Sequence, residues 1–154
     1  MSALDHYVHE LTVQGMLEVY DGIRPQTDAF AKFRIPLVTL AGNVSIQLNR
    51  ASFEDVVRES HGFLTFQQPD KIADAIRLFS AIQLWPSVAL QLSLDAKQVK
   101  DHLRLIVDRR NKIAHEADMD PSYPGTRWPI SPSDVGSALD MIKRVCQAID
   151  DVVV

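Results

Sequence analysis

Between its proline and glycine breaks this chain repeats its apolar residues at every third or fourth position, a spacing that fits one face of a helix and not a strand. Over 2–20 the stripe is Leu4, Val8, Leu11, Gly15 and Val19. From Pro69 it is Ile72, Ile76, Phe79 and Gln83, with the proline in the first turn, where its missing N–H costs nothing. Residues 29–48 are less regular and read either as one helix kinked near Pro36 or as a turn followed by a helix. A short helix is expected over 51–60 and a longer one over 93–117. The last helix opens at Ser131, with Pro132 at its first position and Asp134 at its third, and its core face is Val135, Leu139, Ile142, Val145, Cys146 and Ile149. Breaks fall at 21–25, 60–69 and 85–86, and most clearly over 118–132, where prolines and Gly125 cluster. The only strand candidate is GFLTF, 62–66. The expectation is an all-α fold, a helical bundle of about five or six helices.

Length and composition narrow the class. A chain of 154 residues, 46% hydrophobic and 23% charged, is expected to form a single globular domain over 1–154 and to need no covalent staples. Its one cysteine, Cys146, excludes an internal disulfide framework and a zinc site built from several cysteines; on the apolar face of the last helix it reads as an inert core thiol. The net charge of −4 is not that of a general nucleic-acid sponge. The charge-free stretch 35–49 contains Pro36, Gly42, Asn43, Gln47 and Asn49 and falls short of the roughly 20 apolar residues a membrane span needs. The first residues carry no basic region followed by an apolar one, so a cytoplasmic setting is the default. Phosphate-loop, GxSxG and GxGxxG motifs and a Cys/His nucleophile pair are absent from the sequence, which sets aside the common kinases, hydrolases and dinucleotide enzymes.

One segment carries chemistry, LRLIVDRRNKIAHE at 103–116. On a regular helix Val99, Leu103, Ile106, Arg110, Ile113 and Ala117 share a face, which puts Arg110 in the middle of an apolar stripe. An arginine there either meets a carboxylate, carbonyls or an anionic ligand, or opens onto a cleft, since burying an unpaired guanidinium costs several kcal/mol, roughly. Arg104, Asp108, Asn111 and His115 form another face, where Asn111 and His115 are neighbours one turn apart. Arg110 and His115 stand roughly 140° apart at 100° per residue. They meet on one phosphate if Arg110 reaches round, if the helix deforms near its end, or if the two groups come from different chains. Between Lys97 and Lys112 six positive residues (Lys97, Lys100, Arg104, Arg109, Arg110 and Lys112) face two acids, a balance of +4 that leaves −8 on the rest of the chain. A basic helix on an acidic body suits a phosphate-reading surface. No interleaved aromatic platform for base reading is visible.

The run Arg110-Asn111-Lys112-Ile113-Ala114-His115 resembles the R-N-x-x-x-H signature of the HEPN superfamily of helical domains. The opening Ala3-Leu4-Asp5-His6-Tyr7-Val8-His9-Glu10-Leu11 and the later Gln67-Gln68-Pro69-Asp70-Lys71-Ile72-Ala73 resemble the RiboL-PSP-HEPN subgroup, so the likeness covers most of the chain in the right order. The resemblance implies a helical bundle that forms a homodimer, with the signature helices of two protomers facing across a composite cleft. It implies metal-independent endoribonuclease activity of a toxin, phage-defence or stress type, with RNA as substrate, no cofactor, no metal and an antitoxin as a further partner. Carried over by position, Arg110 and His115 are the catalytic pair and Asn111 supports them. Arg109 also satisfies the looser R-x4-6-H spacing, so the pattern does not fix which arginine acts. The residue types suit the chemistry, since histidine moves protons near neutral pH and arginine forks onto phosphate oxygens.

Other residues carry competing readings. Arg104, Arg109 and Lys112 read as RNA contacts or as plain solvated charge. Asp5 and His9, one turn apart, have the spacing of two metal ligands, but no third ligand is signalled. They are taken as supporting residues where the first helix meets the signature helix, orienting Arg110 or His115. Trp85 and Trp128 are read as core or interface anchors, and His61 and His102 have no nameable partners. The alternative function is a non-catalytic HEPN module that binds RNA, a nucleotide or a partner protein. A third reading is a plain structural domain in which Arg110 makes a core ion pair.

Overall fold

Caps and prolines set the helix boundaries. The computed structural model describes residues 2–36, 48–115, 119, 120, 122, 123 and 125–154. Among these the fold is all-α, with seven helices: α1 (Ser2–Tyr20), α2 (Asp28–Ala31), α3 (Arg50–His61), α4 (Pro69–Arg77), α5 (Leu84–Leu92), α6 (Ala96–His115) and α7 (Pro132–Val153). Four-residue α2 is what takes the count past six. Among the described residues no helix is long and apolar enough to cross a membrane.

The chain divides into two compact units, one of Ser2–Phe66 with Asp70–Ile82, the other of Gln67–Pro69 with Gln83–Val154. In the first, α1 packs on α3. Val13, Met16 and Leu17 are buried with Leu48, Phe53, Val56 and Val57, and Phe30, Phe33, Ile35 and Leu78 pack against that cluster. Tyr20 stacks on Phe53 at 4.8 Å and donates its hydroxyl to the Leu48 carbonyl. Thr27 caps α2, accepting from the Phe30 amide at 3.0 Å while donating to the Leu78 carbonyl at 3.0 Å. Gly15 is required for space, because a Cβ there would overlap the ring of Phe79.

In the second unit α5 packs against both α6 and α7, and α6 meets α7. The buried faces are Leu84, Trp85, Val88, Ala89 and Leu92 on α5, Val99, Leu103 and Val107 on α6, and Val145, Ala148, Ile149 and Val153 on α7. The Trp85 indole donates to the Pro69 carbonyl at 3.0 Å, so this tryptophan is the core anchor that its sequence context suggested.

Several sequence expectations are corrected. The break expected at 85–86 is the first turn of α5: an N–H there has no intrahelical acceptor, so Pro86 loses nothing. Gln83 belongs before α5 and not on α4, which ends at Arg77. The long helix starts at Ala96 and not near Ser93; Ser93 ends α5 in the left-handed region (φ 54°), and Asp95 takes the capping role. The Asp95 carboxylate accepts from the Gln98 amide at 2.8 Å while the Gln98 side chain accepts from the Asp95 amide at 3.0 Å. GFLTF is not a strand; its Phe66 amide donates to the Asp5 carboxylate, and the only described β-pairing is an isolated bridge between Met119 and Arg127. Of the irregular 29–48 segment only α2 and a non-helical stretch to Pro36 are seen, and 37–47 lies outside the described residues, as does Ala117. The last helix begins as expected, with the Ser131–Asp134 capping box and Pro132 at its start. Its expected core face is only half right, because Val135 and Leu139 are exposed.

Candidate active site

Helix α6 is held at its start by the Asp95–Gln98 box and by burial of Val99, Leu103 and Val107. Further along, the buried stripe gives out. Ile106 is half-buried, and Arg110 and Ile113 are exposed. Arg110 therefore takes the cleft alternative and not the buried ion pair. The cleft, of about 430 Å³, lies between α6 and the start of α7. Leu105, Ile106 and Ile113 line it from α6, Ile130, Val135 and Leu139 from the other side, and Arg109 and Arg110 open into it. Its apolar lining is unusually bare, with Leu105 66% exposed and Leu139 62% exposed.

The two arginines differ in their surroundings. Arg109 donates from one terminal nitrogen to the carbonyls of Trp128 and Pro129, 3.2 Å each. Its charge also acts on Asp134, whose carboxyl is held below the usual carboxylate range first by hydrogen bonds from the backbone and hydroxyl of Ser131 and then by Arg109. Arg110 donates to the Asn111 side-chain carbonyl at 2.9 Å. Asn111 thus meets the arginine, and among the described residues no hydrogen bond joins it to His115. Arg104 pairs with Asp101 at 3.2 Å one turn back, while Lys112 and His115 are exposed in the last turn. Because α6 is helical through His115, the Arg110 and His115 Cα–Cβ directions stand about 140° apart within one chain.

Asp5 and His9 have partners in their own unit. Asp5 accepts from the Phe66 amide, and His9 lies 3.9 Å from Asp5. His9 Nε2 lies 3.2 Å from the Leu64 carbonyl, and since a carbonyl only accepts, that nitrogen carries the proton. These contacts fix the turn after α3. Behind them His61 is buried, edge-on to Phe33 at 5.9 Å and Phe66 at 5.8 Å, with its Nδ1 lacking a partner. Burial, and then the neighbouring His9, pushes its pKa down. Among the described residues no three His, Cys, Asp or Glu side chains gather as a metal site would require. Cys146 is half-buried, and burial pushes its thiol up to about 11.

The sequence reading missed the cleft's second wall. Pro129, Ile130 and Asp134 belong to it, and the available signal was the proline-rich run that leads directly into the α7 capping box. Leu105 was the other sign, an apolar residue off the predicted stripe.

An all-α chain with an Arg-Asn-x-x-x-His helix beside an apolar cleft fits a HEPN-type module. The whole chain, residues 1–154, matches the family model RiboL-PSP-HEPN, and the protein belongs to that family. No curated protein and no solved structure matches the chain at a significant level.

Proposed function

We propose that the protein is a metal-independent endoribonuclease whose active cleft is completed by a second copy of the chain. The observation that carries this reading is Arg110, exposed on an apolar cleft, its guanidinium steadied by the Asn111 side chain with donors left over for an anion. The uncovered leucines and isoleucines around it suit a twofold contact between copies. Such a contact brings His115 of one protomer toward Arg110 of its partner, which one regular helix does not do. The family match running through both units supports 1–154 as one HEPN-like domain.

In the reaction the RNA 2′-oxygen attacks the adjacent phosphorus as its proton leaves, and the bond to the 5′-oxygen breaks. His115 transfers protons, and Arg110 neutralises the non-bridging oxygens as charge builds on them. Asn111 aims Arg110. The products end in a 2′,3′-cyclic phosphate and a 5′-hydroxyl, and DNA, which lacks the nucleophile, survives. Lys112 and Arg104 add positive charge along the same helix. In this reading the protein acts in the cytoplasm as a toxin, defence or stress nuclease, with an antitoxin as its restraint.

The test incubates wild type and His115→Ala with a mixed RNA pool in EDTA and analyses the fragment ends. Cleavage by wild type alone, with cyclic phosphate ends, is expected. If neither protein cleaves while both are folded and dimeric, the enzyme reading fails and the non-catalytic module, which binds RNA, a nucleotide or a partner protein, takes its place.

A further inference from the structure

We infer that Arg109 is a positioning residue: it latches residues 125–130 and the start of α7 onto α6, and so fixes the cleft wall beside Arg110. Two hydrogen bonds and one longer-range attraction involve this one guanidinium. The hydrogen bonds go to consecutive carbonyls, those of Trp128 and Pro129. The attraction is to Asp134, which with Ser131 forms the capping box that starts α7. The segment leads straight into the cleft lining at Pro129 and Ile130.

The segment has little else to hold it. Residues 125–130 are all exposed, and Gly125 sits at φ +88°, a turn conformation that an L side chain rarely adopts. Inside the loop the bonds are short-range, from the Thr126 amide to the Tyr123 carbonyl and from the Asp120 amide to the Thr126 carbonyl. Among the described residues no buried apolar side chain anchors it. Arg109 supplies the long-range tie. Its neighbour Arg110 points its guanidinium at Asn111 and leaves the loop alone. Adjacent arginines thus divide the work: Arg109 shapes the wall, and Arg110 meets the substrate phosphate.

The second half of that division rests on the proposed ribonuclease reading; the latch itself does not. The experiment therefore has two arms, both on the full chain with Arg109→Ala, Arg109→Lys and Arg110→Ala. The first arm needs no activity. It measures amide hydrogen exchange over 126–135, where the Ser131 amide is held by Asp134 and the Val135 amide by Ser131. Iodide quenching of tryptophan emission accompanies it; Trp85 is buried, so the quenchable signal is that of Trp128. Arg109→Ala is expected to speed exchange by about tenfold and to raise quenching, Arg109→Lys to restore part of the protection through a single ammonium, and Arg110→Ala to change neither. The second arm measures RNA cleavage. Arg109→Ala is expected to raise KM more than it lowers kcat, while Arg110→Ala lowers kcat by about a hundredfold or more.

Unchanged exchange and quenching in Arg109→Ala overturn the latch. A kcat loss in Arg109→Ala as deep as in Arg110→Ala, with the loop undisturbed, makes Arg109 the phosphate arginine and overturns it as well. A loosened loop in a chain whose wild type cuts no RNA upholds the latch and removes only the ribonuclease reading.

Discussion

Leu139→Asp is expected to break the proposed dimer while leaving each protomer folded. Leu139 lies on the cleft face of α7 and is 62% exposed. Fully burying a leucine contributes about 1.5–3 kcal/mol, so this side chain leaves about 1–2 kcal/mol unrealised in a single chain. A twofold contact uses the same patch on both copies, which doubles the figure to about 2–4 kcal/mol per dimer. At about 1.4 kcal/mol per tenfold in affinity, its loss weakens association by about 30-fold to 1,000-fold. Placing a carboxylate in the contact adds a desolvation penalty, so the upper end is expected. Sedimentation equilibrium across a concentration series measures the effect directly. Leu90→Asp is the control, because Leu90 is 81% exposed but belongs to α5, away from the cleft. Thermal melts of both variants, compared with wild type diluted to monomer, should shift little, since an exposed surface change costs within about 0.5 kcal/mol. The reasoning is refuted if Leu139→Asp dimerises as tightly as wild type, or if Leu90→Asp weakens the dimer just as much.

Two further predictions concern the first unit. His61 is buried with its Nδ1 unpartnered, and its folded pKa lies below the unfolded value of about 6.5. The unfolded chain therefore binds the proton more readily, so the contribution is present above about pH 6.5 and is lost as pH falls toward the folded value, by at most about 1.4 kcal/mol per pH unit. His61→Phe, which keeps a ring between Phe33 and Phe66, should flatten the fall in urea stability between pH 7.5 and pH 5; parallel curves for the two proteins would show that another group sets the slope. Gly15→Ala should destabilise by about 1–2 kcal/mol in chemical denaturation, because overpacking against Phe79 outweighs the gain of up to about 1 kcal/mol in helix propensity. A neutral or stabilising result would mean that the Phe79 ring moves aside freely.

Much of the fold was legible because its rules are local. Ser131, Pro132 and Asp134 announce the start of α7 within four residues, and the capping box forms as those residue types dictate. The Leu4, Val8 and Val19 stripe on α1 is buried for the same reason that it repeats. The misreadings arose where a local rule has two outcomes. Proline breaks a helix interior yet suits a first turn, so Pro86 signalled a break and marks a beginning. Ser93 and Asp95 are both capping types, and only the backbone decides that the first closes α5 while the second opens α6.

The site shows a deeper limit. Periodicity identified the apolar stripe of α6 and of α7, and it placed Arg110 on the first of them. It does not say what lies opposite. Val145 and Ile149 are covered within the chain, whereas Val135 and Leu139, on the same stripe two turns earlier, are bare. A hydrophobic pattern records that a face avoids water somewhere, in the protomer or in an assembly, and the sequence of one protomer is the same in both cases. Arg110 separates them. A charged side chain in a stripe buried within its own chain needs a carboxylate, carbonyls or an anion to meet it there, and Arg110 instead faces an open cleft with an amide beside it. The polar interruption in the pattern, more than the pattern itself, marks where the apolar face stops serving the fold and, in the proposed dimer, meets a second copy.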